Sequence, residues 1–366
     1  MKQYLELLKD IVDNGVSTGD RTGTGRHRVF GRQLRFKMSD GFPLVTTRKA
    51  PYKSSWREML WMISGSANIK PLTENGVHFW DKWALTEEYI DNFVNENKYN
   101  LAPEIIQAIA QNKEILVGSI GPMYGNMWRY APVSRKPITI FDDINDIAPD
   151  KMELYRKQFM EVLNNPNVPD YIKNDSKAFY ATTNTQSVDQ LQNLVTGLKR
   201  DPYSARHVMS TWIPEFVPYP YKNISPQDNV LLGRGCLAPC HVLVQCFVLP
   251  NTVENGKPLL SLMMTQRSVD TPVGAVSNIS QYAFLLHLLA YVCDMEAHEL
   301  IYSLGDTHIY LDQLEGVTTQ LTREPYPLPK LVIKDDTPKD IFKITMDNVE
   351  LVEYTHHDAI EYPVSV

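Results

Sequence analysis

The chain has 366 residues, 43% apolar and 22% charged, with 36 basic against 43 acidic side chains and a net charge of −7. That length suits one large domain or two smaller ones, and the composition excludes a disordered chain. The acidic balance speaks against a nucleic-acid coat or an anionic-membrane binder, while leaving room for a few arginines that hold one phosphate.

The N-terminal MKQYLELLKDIVDNG carries acids throughout and lacks a signal-peptide core. It predicts an amphipathic helix with Tyr4, Leu7, Leu8 and Ile11 on one face. Residues 19–25, Gly-Asp-Arg-Thr-Gly-Thr-Gly, read either as an ordinary turn or as a loop closing on an anion. They are not a P-loop, because no Lys-Ser/Thr follows the glycines. Residues 28–37 alternate apolar and polar and predict a strand. Residues 52–64 space Trp56, Leu60, Trp61 and Ile63 as a helix does, with Glu58 inside an apolar stretch.

Two middle stretches, 86–114 and 142–185, are rich in Asn, Asp, Lys and Pro and read as surface excursions. Between them, 117–129 is compact and glycine-rich. Leu191, Leu194, Val195 and Leu198 mark another amphipathic helix. Strands follow over 242–249 and 259–266, then a buried helix over 280–294 and a tail of short strands. The longest apolar run, 283–293, is interrupted by His287 and is too short for a span of about 20 residues. Strands clustered late among irregularly placed helices favour an α+β fold over alternating α/β.

Four cysteines make no disulfide framework and suit a reducing, intracellular compartment. Cys236, Cys240 and Cys246 lack zinc-ligand spacing, so no metal is expected. Cys240 stands where a strand begins, after Pro239, and reads either as a small core residue or as an exposed thiol at a sheet end. The adjacent His241 makes a poor general base for it, because consecutive strand side chains point to opposite faces. Arg267 and Ser268 can hold a phosphate, or form a surface salt bridge. Asn278 reads as a helix cap or as a polar contact. His308 and Tyr310 share a face and can grip a sugar hydroxyl, or form a buried polar pair.

Taken in order, these signals resemble the thymidylate synthase family. The matching blocks are RTGTG (21–25), DGFPLVTT (40–47), WREMLW (56–61), VHFWDKWA (77–84), GPMYGNMWR (121–129), LAPCH (237–241), QRSVD (266–270), NISQYA (278–283), GDTHIY (305–310), REPYPLP (323–329) and the terminal PVSV. The resemblance implies one α+β catalytic domain over 1–366, a mixed sheet packed by helices, with 86–114 and 142–185 as insertions. It implies one-carbon transfer from 5,10-methylenetetrahydrofolate, a cosubstrate, to C5 of dUMP. By the same matching Cys240 is the nucleophile that adds at C6, its pKa lowered by a nearby arginine. Arg21, Arg206, Arg267 and Ser268 bind the phosphate. Asn278 reads the pyrimidine edge, and neighbours such as Gln266 or the backbone can lock its amide against a flip. His308 and Tyr310 hold the 3′-hydroxyl. Glu58 orders water and proton transfers, and Tyr124 helps remove the C5 proton. Asp270 binds the pterin beside Trp80, Trp83 and Gly274, and Val366 folds over the closed site. The family further implies a homodimer packed through a sheet face, with Arg206 reaching the partner's site. It implies cytoplasmic residence, in a host's cytoplasm if the chain is phage-encoded, and neither membrane nor nucleic acid as partner.

Departures gather on the folate side. Ala205 replaces one of two adjacent arginines, Ser277 an aromatic beside the folate, and Pro51 a histidine, while Phe79 is bulkier than usual. Two products therefore stand open, dTMP with dihydrofolate or 5-hydroxymethyl-dUMP with tetrahydrofolate. They differ in whether water is excluded. A third reading is a binding protein that has lost catalysis.

Overall fold

In the computed structural model, which describes residues 1–19, 23–97, 101, 103–133, 186–219 and 224–364, ten strands follow in chain order. They are β1 (Val16–Thr18), β2 (Arg26–Lys37), β3 (Ala131–Val133), β4 (Gln186–Val188), β5 (Val208–Ser210), β6 (His241–Leu249), β7 (Leu259–Asp270), β8 (Glu296–Tyr310), β9 (Lys330–Ile333) and β10 (Val349–Val352). The chain divides into a large unit, 1–129 with 190–366, and a small one, 130–189. Within the small unit β3 pairs antiparallel with β4, and residues 142–185 lie outside the described residues.

The large unit is built on a six-stranded sheet ordered β1-β2-β8-β7-β6-β5. All its pairs are antiparallel except β7 with β8. A mixed sheet with helices packed on it is the α+β architecture that the sequence predicts. The first helix, Lys2–Asn14, buries Tyr4, Leu7, Leu8 and Ile11, the face read from their spacing.

Helix Val276–Val292 is apolar nearly all round and buried nearly all round. With the turn that leads into it, 271–292 is long and apolar enough to cross a membrane by composition, yet 72% of its most apolar window is buried inside the fold. A core helix and a membrane span share that composition, and packing tells them apart. This helix docks on Tyr52–Ser64. Trp56 stacks on Phe284 with centroids 4.6 Å apart and planes 10° apart. The Trp56 Nε1–H donates to Ser280 Oγ at 3.0 Å, so the indole buries its area without orphaning its donor.

Two boundaries differ from the sequence reading. Strand β7 runs on to Asp270, because its parallel pairing with β8 continues to Asp270 opposite His308. The buried helix starts at Val276, not at 280, because Asp270 Oδ1 accepts the Val273 N–H and Pro272 supports the entering turn. Asn278 therefore sits inside the first helical turn. The stretch 86–114 also has more order than its polar composition suggests. It forms helices Glu87–Asn97, Pro103–Gln111 and Lys113–Leu116, buries Ile90 and Phe93, and pairs Lys113 with Glu87 and Asp91.

The central strands change phase at one level. On β7 Leu260, Leu262, Met264 and Gln266 give way to Val269, with Ser261 buried as well. On β8 Leu300, Tyr302 and Leu304 give way to Thr307 and Ile309, with Ile301 and His308 buried as well. On β2, Phe36 and Leu34 give way to Val29. The switch falls at Gly31, with φ +73°, and at Gly305, where a Cβ would lie 2.6 Å from the Arg267 carbonyl oxygen. Beyond it, Ser268, Asp306 and Arg28 turn to the face that, among the described residues, no helix covers. The same face exposes Phe30 (79%), Phe247 (57%) and Val208 (42%).

Candidate active site

The start of β6, the ends of β7 and β8 and the start of β2 meet at one end of the sheet. His241 pairs with Gln266, Asp270 with His308, and Arg26 with Tyr310. Cys240, just before β6, is partly buried. Its N–H donates to the Tyr124 hydroxyl at 3.1 Å, and Arg267 Nη2 lies 3.7 Å from Sγ. Arg267 is itself held by the Pro239 and Ala238 carbonyls, at 2.9 and 2.7 Å. Burial raises the Cys240 pKa, and Arg267 opposes this without overcoming it. The expected net lowering is therefore absent from this state, because desolvation of the thiolate outweighs one cation. The other three thiols are buried, and burial is the main cause that lifts Cys236 and Cys246 to about 12 and Cys293 to about 11.

Tyr124 opens helix Tyr124–Arg129 with φ +20°, a strained value for a non-glycine residue. Its phenol is pushed well above the ordinary value by burial, so it stays protonated. Its ring lies 4.7 Å from that of His241 and 5.9 Å from that of Trp80.

A buried polar chain runs away from the thiol. Tyr282 Oη meets His241 Nδ1 at 3.1 Å. With that hydroxyl donating, the other ring nitrogen is left to donate to Asn278, whose side-chain bond raises the His241 pKa against the stronger effect of burial, which takes it down to about 4. Asn278 Nδ2 donates to Gln281 Oε1 at 3.1 Å, and Gln281 Nε2 to Glu58 Oε2 at 2.6 Å. Trp80 Nε1 donates to Glu58 Oε1 at 2.6 Å. Burial lifts the Glu58 pKa to about 7, against these two bonds, which suits a group that gives and takes protons near neutrality. The lock on Asn278 is thus Gln281 and not Gln266. Gln266 is buried elsewhere, accepting from Tyr302 at 2.5 Å and donating to the Ser268 carbonyl at 3.0 Å.

Asp270 closes the other wall. Burial raises its pKa to about 6, and Gln313 is first among the groups that oppose this. Gln313 Nε2 donates both to Asp270 Oδ2 and to the Pro363 carbonyl, each at 2.9 Å, so one amide ties the wall to the C-terminal tail. Trp83 meets Trp80 edge-on at 5.8 Å. A side chain at Gly274 would meet only Val269 and Asn278, at 3.5 and 3.6 Å. His308 and Tyr310 stand T-shaped at 5.2 Å.

Arg21 and Val366 lie outside the described residues. Arg206 is exposed and is not brought to Cys240. The His207 carbonyl accepts from the Cys246 N–H, so Arg206 falls opposite Phe247, seven residues along from the thiol and about 20 Å away at strand rise. Sequence reasoning missed Gln281 and Gln313, and set His241 aside. Gln281 was findable as the residue three beyond Asn278 on one helical face. Gln313 carried no signal, since its partners are 43 and 50 residues away. Among the described residues no three His, Cys, Asp or Glu side chains converge as metal ligands.

A family model described as thymidylate synthase matches residues 2–366. A protein of Francisella philomiragia subsp. philomiragia named thymidylate synthase is 35% identical over 366 residues, covering the whole of both chains. One of Francisella tularensis subsp. holarctica with the same name is 34% identical over the same full length.

Proposed function

The chain belongs to the thymidylate synthase family, and from that premise we propose that it methylates C5 of dUMP to give dTMP. The folate cosubstrate supplies the methylene and a hydride and leaves as dihydrofolate. The observation that carries the assignment of roles is the junction of Cys240, Arg267 and Tyr124 with the Asn278–Gln281–Glu58 chain.

The Cys240 thiolate adds to C6, and the electron pair of the C5–C6 bond moves to C5 and into the C4 carbonyl. Arg267 favours the thiolate, and a phosphate or base that displaces water strengthens that pull in the drier site. C5 attacks the folate methylene. The C5 proton then leaves through water ordered by Tyr124, and the protonated phenol relays it. As the C5 proton leaves, the bond from the methylene to folate N5 breaks and its electron pair stays on N5. Hydride from C6 of the released tetrahydrofolate then reaches the exocyclic methylene. The thiolate departs from pyrimidine C6 as the ring double bond re-forms, and the folate is left as dihydrofolate. Glu58 shuttles protons at O4 and the folate. Asp270 meets the pterin, with Trp80 and Trp83 as its wall and Gly274 leaving room. Arg21, Arg267, Ser268 and the partner's copy of this chain hold the phosphate; His308 and Tyr310 hold the sugar. Val366 covers the closed site.

The full-length match to proteins named thymidylate synthase supports the reductive product over hydroxymethylation, and over a binding protein without catalysis. Incubation with dUMP and methylenetetrahydrofolate tests this. We expect dTMP with dihydrofolate; 5-hydroxymethyl-dUMP with tetrahydrofolate would overturn it. The uncovered sheet face and the distance of Arg206 from its own thiol support a homodimer in which each Arg206 serves the other site. Four free cysteines support residence in the cytoplasm. Residues 86–114 and 142–185 we read as insertions on the catalytic domain.

A further inference from the structure

We propose that Arg28, seated by Asp306 and backed by Arg26, binds the 5′-phosphate of the nucleotide. The inference rests on the nucleotide reading above, and it adds to the phosphate site two cations beyond Arg21, Arg206 and Arg267.

Arg28 stands opposite His308, and Arg26 opposite Tyr310, across the β2–β8 ladder. Directly opposed residues share a face. Ser268 is the β7 neighbour of Asp306, so both arginines stand on the same face as Ser268, with one strand between.

Arg28 Nη2 lies 3.1 Å and Arg26 Nη2 3.4 Å from one oxygen of Asp306. The other oxygen of Asp306 faces His308 Nδ1 at 3.4 Å. One carboxylate thus balances two guanidinium groups, and the cluster keeps a net positive charge. Arg26 Nε is buried and makes no hydrogen bond among the described residues. The Arg28 side chain is 36% exposed on the sheet face proposed above for the homodimer contact, the face from which the partner's Arg206 would reach the same phosphate.

A purely structural ion cluster fits less well. Strands β2 and β8 already pair along their length from Arg26 to Lys37, so the ladder needs no second cation. A carboxylate that orients a guanidinium without satisfying its five donors leaves the fork free for phosphate oxygens. Position 205, where a further arginine would have helped, carries alanine.

The test is calorimetric titration of the full-length protein with dUMP, with deoxyuridine and with inorganic phosphate. Arg28→Ala should weaken dUMP about ten- to a hundredfold, the size of one charge-assisted hydrogen bond. Deoxyuridine binding should stay within about twofold, since it lacks the phosphate. Arg28→Lys should fall between the two, keeping charge without the fork. Equal losses for dUMP and deoxyuridine would overturn the proposal by making Arg28 a support of the sugar wall. Unchanged dUMP affinity would overturn it as well. If the wild type bound phosphate in an Arg28-dependent way but ignored dUMP, the anion site would stand and the substrate assignment would fall.

Discussion

Gln281 donates to Glu58 at 2.6 Å from one buried helix to another. The same amide accepts from Asn278 through its other end. An amide has one donor end and one acceptor end, so the Glu58 carboxylate dictates which way Gln281 points, and Gln281 dictates which way Asn278 points. Substrate reading and proton transfer are thereby joined in one polar chain.

Pyrimidine choice follows from this chain of amides. Asn278 spends one N–H on Gln281 and one lone pair on His241. One N–H and one lone pair remain, matching O4 and N3–H of uracil. Cytosine offers the opposite pattern, and each mismatched buried group costs about 1–3 kcal/mol. The protein should therefore prefer dUMP to dCMP by about a hundredfold or more. Gln281→Met should narrow that ratio by freeing the amide to flip, and Asn278→Asp should narrow or invert it. Competition between the two nucleotides measures this, and a wild type indifferent to them would refute the role of Asn278.

Stability should carry the mark of Glu58. Its pKa is about 7 in the fold against 4.5 in the unfolded chain. The folded state therefore binds more protons between those values, and stability falls as pH rises through that window. The contribution is full below about 4.5 and lost above about 7, roughly 3 kcal/mol in all. Denaturant melts at pH 5 and pH 8 should show the wild type losing more than Glu58→Gln by about that amount. Equal losses would mean that Glu58 titrates normally.

For the nucleophile, Cys240→Ser should abolish turnover while dUMP binding stays within about tenfold, because the thiol's large contribution arises only as a bond forms. A 5-fluoro analogue of dUMP with the folate should label Cys240 alone, as the remaining thiols are buried with pKa values of about 11 or 12. Mass spectrometry locates the label; a label on Cys236 or Cys246 would move the chemistry elsewhere.

The exposed sheet face yields a prediction about assembly. Phe247→Asp puts a charge on a face meant to be buried, and sedimentation should show dimers giving way to monomers. Activity should fall with them, since Arg206 lies about 20 Å along the strand from its own thiol. Fully active monomers would refute the shared site.

Much of this was legible beforehand, for local reasons. Tyr4, Leu7, Leu8 and Ile11 repeat at the helical period, and Cys240 sits where an apolar run begins. The thiol, Arg267 and Tyr124 came from motifs, and the structure brings them together. What could not be read depends on distant pairing. The locking of Asn278 by Gln281 rests on a carboxylate 223 residues away. The lift of the Cys240 pKa comes from burial that no neighbour in sequence supplies. Residues 86–114 hid their inward face because the buried Ile90, Phe93 and Ile109 are few among polar residues.

Gly305 bears on redesign. Even one methyl group there would press on the Arg267 carbonyl. Relief would require the sheet to give up its change of phase, and every residue downstream on β8 would then face the wrong side. Asp306 and His308 would turn inward and Thr307 and Ile309 outward. A library that varies the nucleotide wall should therefore hold this position constant, because the identity of the wall is set by a residue with no side chain to contribute.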